Sequence, residues 1–153
     1  MWNKTKSLML SRIMTAAMTG MLVILMFFIP SVSFWYEDVS VGEGFFGGAH
    51  IAVPLIICLY IGEILALTAM YMLHRLLRNI DRGEVFIAEN TRCLRVISWA
   101  CMMAGADLAV FGMWRFIAII PAFLAVMFGL VMRVLKNVFE KAVEIKSEND
   151  FTI

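Results

Sequence analysis

Two carboxylates stand where an apolar chain has little use for them: Glu63 near the middle of the run Ile51 to Leu73, and Asp107 inside the run Val96 to Trp114. A charge near the centre of a bilayer-spanning helix costs roughly 2.5–3.5 kcal/mol on insertion scales, so each acid needs a proton, a partner or a task. Counting along each run at about 1.5 Å per residue brings both near mid-membrane. If the second and third helices are antiparallel neighbours, the two carboxyls face one another and share a proton, as an intramembrane polar site. Two uses fit that pair. One is a proton- or cation-responsive site, or the coupling centre of a small transporter. The other is a protonated carboxyl bonded to a backbone carbonyl or to Tyr60, Thr68 or Ser98, which fastens helices together.

Other chemistry finds no residues to carry it. Cys58, Cys93 and Cys101 include no CxxC pair, and Cys93 and Cys101 lie about 12 Å apart along one helix, beyond disulfide reach. They are expected as buried free thiols. His50 and His74 are isolated, and no His, Cys and carboxylate cluster has metal-ligand spacing. No serine has a nucleophile-elbow context. The glycines of GEGFFGG precede a membrane run, so they do not form a phosphate loop. The expectation is a protein without catalytic residues, metal or cofactor, and not an enzyme.

The elements that must position the two acids follow from composition. Apolar residues make up 62% of the chain and charged ones 16%, against about 45–50% and about 25% in soluble domains. This implies an integral membrane protein, all-α, folded as a four-helix bundle in one domain over 1–153. Its spans are expected at about 13–34, 51–73, 96–114 and 116–132, each near the roughly 20 residues a bilayer requires. The first run exceeds the about 7–15 residues of a signal h-region, so a retained helix is expected, ended or bent near Pro30.

Of the 13 Lys and Arg residues, all but Arg115 fall on the N-terminus, the segment 74–95 or the tail 133–153. The positive-inside bias makes those parts cytoplasmic, with both termini inside and 35–50 as an outer loop. Arg115, in the tight turn between the third and fourth spans, is expected to snorkel to headgroups. A bacterial cytoplasmic membrane suits this pattern. A net charge of +1 argues against nucleic-acid binding. In the outer loop Phe45 and Phe46 are expected to touch lipid.

The second helix runs on past lipid through LHRLLRNI until Asp81-Arg82-Gly83, with glycine suited to the left-handed C-terminal position. A new helix is expected near Glu89 and Asn90. Beyond Arg133 the fourth helix continues as an amphipathic cytoplasmic extension, with Val134, Leu135, Val138, Phe139, Ala142 and Val143 at helical spacing. That face can fold onto the central loop, lie on the membrane or receive a partner. Small residues at four-residue spacing, Ala16 and Gly20, Gly62 and Ala66, Ala100 and Ala104, Gly105 and Ala109, suit a bundle and a homodimer equally.

Two stretches, LLRNIDRGEVFIAENTRCLRVI and FEKAVEIKSENDFTI, resemble a family of small four-helix bacterial membrane proteins classed as a domain of unknown function. Leu77, Arg78, Ile80, Gly83, Phe86, Asn90, Leu94 and Arg95 fit its loop; Glu144, Lys146, Glu148, Asn149, Asp150, Thr152 and Ile153 fit its tail. Ala88 departs from it where a hydroxyl residue is frequent, and Ala142 where glycine is. Members often look to be encoded beside a helix-turn-helix regulator, so the resemblance implies a cytoplasmic protein partner and supplies no catalytic residue.

The functional expectation is a non-enzymatic membrane protein that engages a cytoplasmic partner such as a transcription regulator. Arg75, Arg78, Arg82, Phe86, Arg92, Arg95, Phe139, Glu148 and Asp150 would form the partner or membrane-surface face. The alternatives are a small proton-coupled transporter using Glu63 and Asp107, and an immunity factor against a peptide toxin that would use the outer loop.

Overall fold

A computed structural model of the chain describes residues 4–41, 44–46 and 50–151, with side chains from 7 to 149. Four long helices make up nearly all of it: α1 (Lys4–Val39), α2 (Ala52–Asp81), α3 (Ala88–Phe111) and α4 (Ile119–Phe151), the last preceded by a short turn at Phe116–Ala118. All four are long and apolar enough to cross a membrane. Large side chains such as Phe27, Ile24, Phe123 and Phe128 are more than half exposed. A surface that apolar belongs in lipid.

The expected four-helix bundle is packed in chain order, as a row. α2 lies against α1 and α3, and α4 lies against α3. Among the described residues α1 has neither α3 nor α4 as a helix neighbour. α3 is the most buried of the four. The α3–α4 crossing is close because small residues line it. A Cβ on Gly105 would fall 2.9 Å from the carbonyl oxygen of Ala122, and one on Gly129 would fall 3.0 Å from that of Ser98. The Ser98 hydroxyl donates to the Gly129 carbonyl at 2.7 Å across the same contact. Such crossings let backbones and hydroxyls do the work that hydrophobic burial cannot do inside lipid.

Polar ties fix which ends lie together. Arg12 of α1 pairs with Asp81 of α2 at 2.7 Å, and Arg95 of α3 pairs with Glu140 of α4 at 3.2 Å. The start of α1, the end of α2, the start of α3 and the far part of α4 therefore share one end, the basic end. The α3–α4 turn and the α1–α2 connection share the other, the hairpin end.

Pro30 does not end α1, which continues to Val39. One missing N–H in a long helix is tolerated in a bundle where neighbouring groups re-satisfy the backbone. Gly83 terminates α2 as its position suggests, at φ 80° with its N–H on the Ile80 carbonyl. α4 continues without a break to Phe151. Its predicted apolar stripe is divided: Phe139 packs inward with Leu76, Cys93 and Leu94, while Val134 and Val138 stay exposed.

Candidate functional site

The two intramembrane acids do not meet. Asp107 contacts Cys58 of α2 beside a cavity of about 170 Å³ bordered by Pro54, Ile57, Phe111 and Trp114. Glu63 is buried, and no hydrogen bond joins it to Asp107 or to any other described residue; its Oε1 and the Oδ2 of Asp107 are both without a partner. The reason is register. With Cys58 opposite Asp107, Glu63 lies five residues further along α2, about 7.5 Å deeper toward the basic end. Thr68 and Ser98 do not take up either acid, because their hydroxyls donate to the carbonyls of Ile64 and Gly129.

The hairpin end holds polar contacts that the sequence did not announce. Arg115 turns inward rather than toward headgroups and is 5% exposed. Its guanidinium donates to the Ser40 hydroxyl at 3.0 Å and the Trp114 carbonyl at 3.1 Å. The end of α1 is thereby tied to the α3–α4 turn. Glu37 accepts from the backbone N–H of Ala52 at 3.1 Å and contacts His50 at 2.7 Å, so an α1 carboxylate caps the start of α2. Capping by a carboxylate suits the positive end of a helix. Gly44 is needed where it stands, since a Cβ there would lie 2.5 Å from the Met113 and Trp114 carbonyl oxygens. Phe46 and Phe45, expected against lipid, meet Trp114 and Phe116 on one side and stay 47% and 81% exposed on the other.

The basic end is built on two amides. Asn90 is fully buried and Asn79 nearly so. Asn79 Nδ2 donates to Asn90 Oδ1 at 2.8 Å, and Asn90 Nδ2 donates to the carbonyls of Glu84 and Val85 at 2.7 and 2.8 Å. The pair fastens the end of α2, the α2–α3 loop and the first turn of α3 into one unit. The sequence marks Asn90 as a helix start and as a residue of the family's loop; its role as a latch depends on Asn79, which the sequence does not single out.

Around that latch the predicted surface residues divide. Arg75 pairs with Glu89, and Arg95 and Lys136 share Glu140. The Arg75 hydrogen bond holds the Glu89 carboxyl below its usual range. Phe86 lies 5.8 Å from Phe139, so loop and tail fold onto one another. Arg78, Arg82 and Arg92 are exposed, and their side chains form no hydrogen bond or salt bridge among the described residues. Glu148 lies on the exposed last turns of α4. The Asp150 side chain is outside the described residues, as are Glu43, Thr152 and Ile153. All three cysteines are free, and no group of three metal-ligating side chains occurs among the described residues.

Apolar helices exposed on nearly every side, with their polar ties drawn to the two ends, define a multi-pass helical membrane protein. Within that class the chain belongs to the family described as "Protein of unknown function (DUF2975)", whose model matches residues 43–153. The match takes in α2, α3, α4 and the Asn79–Asn90 latch, and leaves α1 outside. No curated protein and no solved structure matches the chain.

Proposed function

We propose that this is a non-enzymatic protein of the bacterial cytoplasmic membrane that holds a cytoplasmic protein partner at the membrane surface, with the basic end facing the cytoplasm. The observation that carries this reading is the pairing of a rigid loop with unneutralised charge. The amide latch fixes the α2–α3 loop, while the exposed Arg78 at the end of α2 and Arg82 just after it form no salt bridge and Phe86 remains 45% exposed beside them. Fixed cations around an aromatic suit an acidic, partly apolar protein segment. A transcription regulator is the partner class that the family resemblance implies.

Truncating the tail is a poor test, because Phe139 belongs to the packed cluster of the basic end. A photo-crosslinking residue at Arg82 in living cells is the better probe. One DNA-binding protein is expected to crosslink, and the adduct is expected to disappear in Arg78→Glu. The reading fails if no protein is captured or if the charge reversal leaves the capture unchanged.

A second reading has one observation in its favour: Glu63 and Asp107 each keep a buried, unpartnered oxygen, and Asp107 borders a cavity. Ionisable residues inside a membrane often mark proton relays. In proteoliposomes under a pH gradient, proton flux above that of empty vesicles, abolished by Asp107→Asn, is the expected result. Flux equal to empty vesicles removes this reading.

A further inference from the structure

A cavity of about 340 Å³ opens between the start of α3 and the extension of α4, bordered by Thr91, Arg92, Arg95, Val96, Glu140 and Val143. We propose that it binds the phosphate headgroup of an anionic phospholipid. Four observations converge on it. Thr91 borders the cavity and is 5% exposed, and its buried hydroxyl has no hydrogen-bond partner. A buried hydroxyl left unsatisfied costs about 1–3 kcal/mol, and a phosphate oxygen is an acceptor that would relieve it.

The charge has the right sign. Arg92 is unpaired, Arg95 is shared with Glu140, and Arg133 meets only the Trp99 ring, 4.9 Å from its centroid. Lys136 lies beside them with its side chain 16% exposed. The cavity itself is lined by two cations, Arg92 and Arg95, and by one acid, Glu140, which Lys136 also neutralises. The first turn of α3 adds its positive end, with no side chain capping it.

The third observation is depth. Arg92 and Arg95 directly precede the apolar run that opens at Val96, and Arg133 directly follows the one that closes at Met132. Headgroup phosphates lie at that boundary, and basic pockets between membrane helices are suited to them.

The fourth is the apolar track that continues from the site. Below Arg95 on the same helical face, Trp99 and Met103 are 51% and 57% exposed, spaced four residues apart as one stripe. A free anion has no use for such a track, whereas an acyl chain does. This site is separate from the partner-facing residues Arg78 and Arg82, so either can stand without the other.

Native mass spectrometry of the detergent-purified full chain, titrated with phosphatidylglycerol, phosphatidylcholine or inorganic phosphate, tests the assignment. Phosphatidylglycerol is expected to bind about tenfold more tightly than phosphatidylcholine, since both offer a phosphate to the arginines but only the choline headgroup brings its own cation into a basic site. That preference is expected to vanish in Arg92→Gln/Arg95→Gln, to weaken in Thr91→Val and to return in Thr91→Ser. Arg82→Gln is expected to bind as the wild type does. Thermal unfolding of each variant separates lost binding from lost folding. Equal retention of the two lipids, or a preference that survives in the folded double variant, overturns the proposal. So does displacement of the lipid by inorganic phosphate at equal concentration, which would make this a free-anion site.

Discussion

At the hairpin end Arg115 is buried and hands its guanidinium to Ser40 and Trp114, while at the basic end Arg78, Arg82 and Arg92 stand in solvent around a latch made of two neutral amides. One residue type has taken opposite parts in one molecule. Where a lone cation is the fastener, its two terminal nitrogens are spent on the protein and only its buried Nε is left without a partner. Where amides do the fastening, the surrounding cations remain free to bind. Burying a charge is costly unless it is well hydrogen-bonded, and amides close a loop without that cost. The difference therefore assigns architecture to one end and recognition to the other.

Two substitutions can break or sharpen this contrast. The larger effect is expected from Asn90→Ala, which deprives Asn79 Nδ2 and the carbonyls of Glu84 and Val85 of their partners at once. The Asn79–Asn90 bond is fully buried and the two carbonyl bonds are partly so, and at about 1–3 kcal/mol for a buried group left unsatisfied a loss of about 2–3 kcal/mol is expected in denaturant titrations in mixed micelles. A loss under ~1 kcal/mol would mean that the loop is held by something other than its amides.

Arg115→Gln is expected to cost less, about 1–2 kcal/mol, because glutamine can still reach one of the same acceptors. Hydrogen exchange should quicken at residues 36–41 and 113–118 and stay unchanged at 79–94. If protection fell equally at both ends, the ends would not be independent and the division of labour would be wrong.

How much of this could be read from the chain depended on whether a signal was local. Span number, the stop at Gly83, the continuation of α4 and the crowding of cations at three sites are all written in consecutive residues. The Asp107 partner was not. Depth counted from the ends of apolar runs misplaces a residue when helices outrun those runs, as α2 does by continuing to Asp81. Arg115 was read as a surface cation because its sequence neighbours are a turn, and only the fold brings Ser40 to it. Thr91 and Asn79 carry no pattern at all: what distinguishes them is a hydroxyl without a partner and an amide with one. Of the four small-residue pairs, Gly105 lies in the close α3–α4 crossing, but its counterpart Gly129 was not singled out. Gly20 and Gly62 have open space around them.

The row arrangement has a mechanical consequence. α1 is bolted near its two tips, by Arg12 to Asp81 and through Ser40 to Arg115, and between Thr15 and Ile29 none of its residues is buried. A rod pinned at both extremities and loose along its middle cannot slide past its neighbour when the bilayer thins or thickens. It bows outward, and the strain arrives at the tips.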